Sequence, residues 1–124
     1  MSAFGSVSSL DLQRIWDGVH GRAVHGERLT LGIIELDPHS VVPEHSHPHE
    51  QLGICLAGSL VFRVGSETRE LHAGETWCIA GNVPHEVRVG SEGAVVIDVF
   101  APTRDDWRDA ERAGGRRPRW PTSI

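Results

Sequence analysis

An all-β sandwich or barrel is the fold class that this sequence predicts. Short apolar runs recur along the 124 residues, turn residues separate them, and few segments show helical periodicity. Strands this short and this evenly spaced are typical of β-sandwiches and β-barrels. A chain of 124 residues is long enough to bury one hydrophobic core without disulfide bonds. We therefore expect one domain over residues 1–124, with its core at about 13–102.

Nine strands are predicted along this core. They span residues 13–19, 29–36, 40–45, 51–56, 59–64, 67–71, 76–79, 86–89 and 94–100. Glycine, proline, asparagine and aspartate mark the connections between them. These connections are Asp37-Pro38, Ala57-Gly58, Gly65-Ser66, Ala73-Gly74, Gly81-Asn82 and Gly90-Ser91.

A short C-terminal helix is predicted over residues 103–113, followed by a tail to residue 124. Thr103 can cap this helix, two aspartates fall in its first turn, and Gly114-Gly115 would end it. The tail beyond is basic and interrupted by proline, and we expect Trp120 to pack on the barrel.

Composition excludes several classes of function. The formal net charge is −5 and there are no long basic runs, which argues against nucleic acid as a partner. The sequence shows no signal peptide and no apolar run long enough to cross a bilayer, so we expect a cytoplasmic protein without a membrane partner. Cys55 and Cys78 both lie in apolar stretches, and we expect two small buried side chains rather than a disulfide framework.

The strongest chemical signal is a cluster of histidines at residues 43–51. On an extended segment His45 and His47 point to the same face. Gln51 has the same parity, but Pro48 favours a turn or bulge, so Glu50 remains an alternative to it. Far downstream, His85 follows a tight turn that leads into a new strand.

Three imidazoles and one oxygen donor suit a borderline divalent metal ion with open coordination positions. If the fourth ligand is Gln51, the site keeps the full metal charge of about +2 and favours an anionic, chelating substrate. Four further histidines are isolated near turns, and we expect none of them to bind the metal. They are His20, His25, His39 and His72.

The last predicted strand carries a second signal. Asp98 is a charged residue in a strongly apolar strand, and a buried carboxylate needs a partner or a role. Phe100 shares its face, and Arg104 lies just beyond the strand's end. Together they could supply a proton-transfer group, an apolar wall and an anion clamp at one mouth of the barrel. The alternative is that Asp98 forms an ion pair with an arginine that braces the barrel.

Two segments resemble the motifs of a known family. The pattern His45-x-His47-x-x-x-Gln51, followed by Gly58, resembles the first cupin motif, in which two histidines and a Glu or Gln bind metal. The segment 74–85, which ends in His85, resembles the second motif. It departs from the family pattern at Ala80, where proline is usual, and at Asn82, where glycine is usual. Asparagine tolerates the left-handed conformation that this turn needs.

The resemblance implies a cupin fold, a jelly-roll barrel also described as a double-stranded β-helix. Within the cupins, the run at 47–51 and the run from Asp98 to Arg104 resemble the KdgF-type family of pectin and alginate breakdown. That family converts 4,5-unsaturated monouronates to the linear ketonised form. The resemblance implies that the metal ligands are His45, His47, Gln51 and His85. It gives the catalytic and substrate-positioning roles to Asp98, Phe100 and Arg104.

On this hypothesis the protein is a metal-dependent isomerase or lyase-type enzyme, and its substrate is a small anionic sugar acid. Its cofactor is one divalent transition metal: Zn, Ni, Mn, Fe or Co. Two alternatives stay open, a cupin-type metal-dependent dioxygenase and a non-catalytic cupin that binds a small ligand. We also expect a homodimer, for which the N-terminal strand with Ile15 and Trp16 is a candidate pairing surface.

Overall fold

Eight strands and one short α-helix form the fold of residues 2–121. The computed structural model describes residues 2–121. The strands are β1 (Gln13–Trp16), β2 (Val19–His25), β3 (Thr30–Leu36), β4 (Val41–His45), β5 (Glu50–Val64), β6 (Glu67–His72), β7 (Thr76–Ile79) and β8 (His85–Ala101). A single helical turn, α1 (Asp105–Arg108), follows β8, and a short 3-10 helix at Val7–Ser9 precedes β1. No helix in residues 2–121 is long and apolar enough to cross a membrane.

The long strands β5 and β8 organise the architecture. They pair with each other antiparallel along almost their whole length, and each contributes to two sheets. All eight strands belong to one hydrogen-bonded network, which divides into two layers because different parts of β5 and β8 pair with different strands. We call these layers the first sheet, with the order β1-β2-β3-β8-β5-β7, and the second sheet, with the order β4-β8-β5-β6. Residues from both sheets form one buried core. The all-β, jelly-roll prediction is confirmed.

The long strands correct the predicted strand count. Residues 51–56 and 59–64 belong to one strand, and so do residues 86–89 and 94–100. The Ala57-Gly58 and Gly90-Ser91 pairs lie within these strands and do not end them. The β5–β8 register shifts twice, between Cys55 and Ala57 and between Gly58 and Leu60. Irregularities of this kind bend a strand while the ladder continues beyond them.

The predicted strand at 13–19 is also wrong, because these residues belong to two strands and not to one. It divides at Asp17-Gly18, where Gly18 has a φ of 76°, into β1 and the start of β2. The prediction missed β2, whose residues Val19–His25 pair with β3 along their full length. Two histidines and one arginine make this strand look polar, although Arg22 itself is buried.

The predicted helix at 103–113 is too long. Only Asp105–Arg108 are helical, Arg104 is the N-cap residue, and no side chain caps the turn. The Thr103 hydroxyl donates a hydrogen bond to Asp105 Oδ1 and accepts none from a backbone N–H of the turn. Beyond the turn, backbone groups at 111–113 bond to residues 12–14 of the β1 region. Tertiary pairing with β1 therefore ends the helix before the two glycines are reached.

The two cysteines have different environments. Cys55 is fully buried in the core, as expected, but Cys78 is exposed. Cys78 alternates with Trp77 and Ile79 along β7, and these two neighbours take the inward positions. The expectation that both cysteines are buried is wrong for Cys78, because the period-2 pattern of the strand puts it outside.

The C-terminal tail is fixed to the outside of the first sheet by charged groups. Glu35 on β3 and Arg22 on β2 are 1% and 2% exposed, and their side chains form an ion pair of 2.6 Å. In the tail, the Arg119 backbone N–H donates to Glu35 Oε2 and its guanidinium donates to Asp37. Trp120 is partly buried. The tail therefore covers a buried carboxylate that its own arginines help to neutralise.

Candidate metal centre

Three histidines from separate parts of the chain converge at one mouth of the barrel. His45 ends β4, His47 lies in the following loop, and His85 begins β8, where it pairs in register with His45. One ring nitrogen of each lies within 4.8 Å of the others. Asn82 adopts a φ of 67° in the turn before His85, which confirms the left-handed conformation expected there.

The hydrogen bonds of the three rings favour one tautomer. The Nδ1 atom of each faces a backbone carbonyl oxygen, that of Pro43 for His45, of His49 for His47 and of Val83 for His85, at 2.9 to 3.1 Å. A carbonyl can only accept, so Nδ1 carries the proton and Nε2 keeps its lone pair. Carbonyl contacts of this type orient the histidine ligands of metal sites.

Gln51 completes the cluster. It is 7% exposed on the inner face of β5, and its Oε1 lies 3.1 Å from His47 Nε2. Glu50, the preceding residue of β5, is exposed and lies on the outer face of the strand, where it pairs with Ala101. The geometry therefore places Gln51 and not Glu50 beside the histidines. With Nδ1 protonated, His47 Nε2 and Gln51 Oε1 are two acceptors facing each other, an arrangement that a cation between them stabilises.

These four residues fit a divalent metal ion. The Nε2 atom of His85 is buried and has no hydrogen-bond partner among residues 2–121. Burial, followed by the charge of Arg104 and of the other two histidines, lowers the pKa of His47 to about 4. Burial also lowers the pKa of His85. Neutral imidazole is the form that binds metal, so the three histidines could hold a metal ion. The four histidines expected not to bind lie outside the cluster.

Asp98 lies on the inner face of β8, beside this cluster. It is 4% exposed, and Trp77 Nε1 donates to its Oδ1 at 2.7 Å. Burial raises the pKa of Asp98 to about 6, although hydrogen bonding from Gln51 and Trp77 and the charge of Arg104 act in the opposite direction. A carboxyl group with this pKa exchanges its proton readily near neutrality. Within residues 2–121 no arginine forms a salt bridge with Asp98, so the bracing alternative lacks its ion pair.

Arg104 lies at the rim between two aromatic rings. Its guanidinium carbon is 4.7 Å from the ring centroids of both Phe100 and Trp107. Asp106 accepts two hydrogen bonds from it, at 3.1 Å from Nε and 2.9 Å from Nη2. The Arg104 backbone N–H also donates to the buried Thr30 hydroxyl. Arg104 is therefore a fixed positive charge beside the histidines.

One cavity joins these groups. Its polar lining comes from His45, Gln51, His85, Asp98 and Arg104, and the remaining walls are aliphatic and aromatic. Ile15 and Trp16 of β1 belong to these walls, and the Trp16 ring lies 5.3 Å from the ring of His45. These two side chains therefore contribute to the cavity of their own barrel, while β1 remains an edge strand, and the pairing of two copies through this strand stays a prediction.

Sequence reasoning missed two tryptophans that shape the pocket. Trp77 donates to Asp98, and Trp107 packs on Arg104 and Phe100. Each ring covers a glycine in the sheet, Gly53 under Trp77 and Gly32 under Trp107, and a Cβ at either glycine would crowd the ring. An isolated glycine inside an apolar strand is the sequence signal for such close approach, and both glycines show it.

The fold and the site together define the class of protein: a small antiparallel β-barrel whose mouth carries three histidines that could hold a metal ion. The model of the cupin domain family matches residues 32–100, more than half of the chain. The chain belongs to the cupin family.

Two of the similar proteins within the family are KdgF proteins. The pectin degradation protein KdgF of Dickeya dadantii is 27% identical over 97 residues, which cover 77% of this chain and 88% of that protein. The structure of KdgF from Halomonas sp. superposes with a TM-score of 0.78 at 25% identity, covering 86% of this chain and 98% of the other. The chain is a KdgF-like cupin.

Two further similarities are broader. An H2HPP isomerase of Bacillus subtilis is 39% identical over 79 residues, and these cover 62% of this chain but only 33% of that longer protein. An RmlC-like cupin from Shewanella frigidimarina has a TM-score of 0.79 at 22% identity, covering 86% of this chain and 96% of the other, and this likeness concerns the fold alone. The named relatives suggest that this cupin is an enzyme.

Proposed function

We propose that this protein is a metal-dependent isomerase that converts 4,5-unsaturated monouronates to the linear ketonised form. The observation that carries the proposal is that one cavity contains a buried carboxyl group, Asp98, beside the histidine cluster and Arg104. The similarity to KdgF over most of both chains supports the same reaction.

The ligand set and the rim charge both suit an anionic substrate. A divalent metal held by His45, His47, Gln51 and His85 would supply a Lewis acid for a carboxylate and an adjacent oxygen. Because all four ligands are neutral, the metal charge would not be reduced by its own site. Arg104 clamps an anionic or hydroxyl group at the rim, and its aromatic neighbours restrict its movement.

Asp98 moves the proton. Ring opening breaks the bond between the hemiacetal carbon and the ring oxygen: the hemiacetal hydroxyl gives up its proton as its carbon becomes an aldehyde, and the ring oxygen takes up a proton to become an enol hydroxyl. Conversion to the ketone then requires a proton at the carbon of the former double bond. Asp98 delivers this proton, and the enol hydroxyl proton then restores the carboxyl group, so that the net change is an isomerisation. Phe100, which is 2% exposed, supplies an apolar wall that excludes water.

The direct test follows the vinylic proton of freshly lyase-generated unsaturated galacturonate by NMR. Metal-loaded protein should accelerate loss of this signal, and chelated protein should match the sample without protein. Equal traces in all three samples, with metal bound to the loaded protein, would overturn the substrate assignment. Oxygen uptake without uronate turnover would instead favour the dioxygenase alternative, and retained metal without any turnover would favour ligand binding.

Metal binding itself is tested by removing a ligand. His85→Ala should abolish stoichiometric metal binding, because it removes the buried Nε2 atom that lacks another partner. Elemental analysis after dialysis measures the metal content, and loss of a structural ligand should also lower the melting temperature of the metal-loaded protein. His72→Ala, at an exposed histidine of β6, is the control and should keep the full metal content. Normal metal content in His85→Ala would contradict the assigned site.

A second candidate substrate is favoured by the cavity walls. Apart from the ligands, Asp98 and Arg104, the cavity is apolar, which suits an anionic acid with a largely apolar body. The similarity to H2HPP isomerase supports the same reaction class on a different acid. Parallel assays with the uronate and with H2HPP discriminate the two, since the better substrate should show the higher kcat/KM by a wide margin.

A homodimer is the proposed assembly. Half-buried or exposed apolar side chains form one cross-strand row on the outer face of the first sheet. The row runs through Val24, Leu31, Val99, Leu52 and Cys78, which are register partners on five neighbouring strands. None of these five residues is charged, so the row is apolar along its whole length. A self-complementary apolar face of this kind suits a two-fold interface with a second copy of the chain.

Light scattering after size exclusion tests the assembly. The protein should elute as a dimer, and Leu52→Glu should convert it to a monomer because it introduces charge at the centre of the apolar row. Val61→Glu is the matched control, since Val61 is a similarly exposed valine on the other sheet. A monomeric parent protein, or a Leu52→Glu dimer, would contradict this interface.

A further inference from the structure

Trp77 and Asp98 share one cross-strand row of the inner face, with a glycine between them. Trp77 on β7 pairs with Gly53 on β5, and Gly53 pairs with Asp98 on β8. The indole crosses above Gly53, and its Nε1–H donates to Asp98 Oδ1 at 2.7 Å. Trp77 is itself held by Phe62, whose ring centroid lies 5.1 Å away. The donor is therefore as fixed as the acceptor.

Gly53 is what permits this hydrogen bond. A Cβ atom at this position would overlap both the indole nitrogen of Trp77 and Oδ1 of Asp98. Glycine inside a strand weakens the strand, because it costs conformational entropy and offers no side chain to pack. The close approach of the Trp77 indole and the Asp98 carboxyl group explains why glycine stands in β5 at this position. The fold alone does not require these two groups to meet.

The bond also fixes which oxygen of Asp98 can act. The indole N–H occupies Oδ1 as an acceptor, so Oδ2 is the oxygen that this bond leaves for proton transfer. The bond resists rotation of the carboxyl group, and Oδ2 keeps one orientation in the cavity.

We propose that Trp77 is a positioning residue for the isomerisation, because it holds Asp98 so that Oδ2 delivers the proton. The inference rests on the proposed function. In the step, the π electrons of the enol C=C bond form a C–H bond with the proton as the Oδ2–H bond breaks, and a lone pair of the enol oxygen forms the carbonyl π bond. The enol hydroxyl proton then restores the carboxyl group.

Trp77→Phe tests the inference because it keeps an aromatic ring on Phe62 and removes only the donor and part of the indole. We expect kcat to fall by about 10- to 100-fold, the range that small misplacement of a reacting group costs. KM should stay within about twofold, and metal content should not change. Trp120→Phe removes an indole from the distant tail and should leave kcat unchanged. An unchanged kcat in Trp77→Phe overturns the inference.

A double variant separates positioning from a general loss of structure. If Trp77 acts through Asp98, adding Trp77→Phe to Asp98→Asn should lower the remaining rate no further. A drop as large as in the parent protein would show that Trp77 acts elsewhere. Gly53→Ala is a second route to the same result, since it keeps both side chains but forces them apart, and it should lower kcat with little change in KM. This variant decides the question if Trp77→Phe does not fold.

An indole NMR signal makes the test independent of activity. The four tryptophans give four indole N–H resonances, and the one lost in Trp77→Phe belongs to Trp77. This resonance should shift when Asp98→Asn replaces the carboxyl acceptor of the indole N–H by an amide, while the other three stay in place. If the parent protein fails on the uronate, the proposed function falls, and this shift still decides whether Trp77 holds Asp98. An unmoved resonance overturns the inference even if the uronate is turned over.

Discussion

Two carboxylates are buried within residues 2–121 of this small barrel, and they have opposite surroundings. Glu35, on the outer face of β3, is 1% exposed and is surrounded by three arginines, at 2.6 Å from Arg22, 3.2 Å from Arg116 and 3.6 Å from Arg119. Asp98, on the inner face of β8, is 4% exposed, and the hydrogen bonds that it receives in the described part of the chain all come from neutral groups. Cations compensate the first carboxylate, and burial destabilises the charged form of the second.

The difference indicates different roles. A buried carboxylate that arginines neutralise contributes to structure, and removing it leaves buried cations without a partner. A buried carboxylate among neutral donors keeps a raised pKa, which is a cost to stability and an advantage for proton transfer. We therefore expect substitutions at Asp98 to change catalysis and substitutions at Glu35 to change stability.

Asp98→Asn should have the largest effect on turnover. Loss of a placed proton-transfer group typically lowers the rate by about 10²- to 10⁴-fold. The amide oxygen can still accept from Trp77, so metal content and fold should be kept. The measurement is kcat on the unsaturated uronate with metal analysis in parallel. Activity equal to the parent protein would remove Asp98 from the mechanism.

The same substitution should raise the thermal stability of chelated protein at high pH. The folded pKa of about 6 lies above the ordinary value of 3.8 for an aspartate, so the folded state binds the Asp98 proton more tightly than the unfolded state does. This contribution to stability is complete below pH 4 and is lost as the pH rises through 6. The advantage of Asp98→Asn in melting temperature should therefore grow between pH 4 and 6 and stay constant above. A constant difference across this range would contradict the raised pKa.

Glu35→Gln should mainly reduce stability. Removal of one partner from a buried ion pair costs about 3–5 kcal/mol, because Arg22 keeps its charge and its burial. Denaturant unfolding measures this loss, and kcat should change less than twofold because Glu35 does not line the cavity. Glu67→Gln, in an exposed pair with Arg69, is the control and should cost less than about 1 kcal/mol. Equal losses in the two variants would remove the distinction between the buried and exposed pairs.

The histidine cluster could be predicted from the sequence, and the surroundings of the two carboxylates could not. The His45–His47 spacing and the turn before His85 are local features, and Asp98 is conspicuous in an apolar strand. The Trp77–Gly53–Asp98 row depends on the register of three strands that are far apart in sequence. Strand register is decided by tertiary pairing, and the sequence carries only indirect signals of it.

The errors in the fold have a related cause. Gly58 and Gly90 were sufficient to predict turns, but a glycine at a bulge and a glycine at a turn look alike without the partner strand. The polar strand β2 was missed because Arg22 suggests an exposed segment, whereas its charge is compensated by Glu35 across the sheet. In each case the deciding partner lies elsewhere in the chain.

Asp106→Asn should weaken substrate binding more than it slows turnover. Asp106 accepts two hydrogen bonds from Arg104 and fixes the direction of the guanidinium, and Arg104 in turn holds the pKa of Asp106 below its usual range. A less constrained arginine should raise KM by about 3- to 10-fold, since positioning of this kind is worth about 1 kcal/mol. Asp105→Asn, which alters a neighbouring aspartate bonded to Thr103 and Arg108, is the matched control. A KM equal to that of the control would show that the aromatic rings alone hold Arg104.

Arg119→Ala should have the smallest effect on the free energy of unfolding. It tests how much the C-terminal tail contributes to the surroundings of Glu35. Arg119 donates to the Leu36 carbonyl and to Asp37 Oδ1, and its guanidinium lies 3.6 Å from Glu35. The side chain is one-third exposed, and Glu35 keeps Arg22 and Arg116, so the loss should be about 1 kcal/mol. Arg117→Ala, at an exposed neighbour in the same tail, should cost less in the same unfolding experiment. If Arg119→Ala destabilised the protein as much as Glu35→Gln, the tail and not Arg22 would be the principal partner of the buried carboxylate.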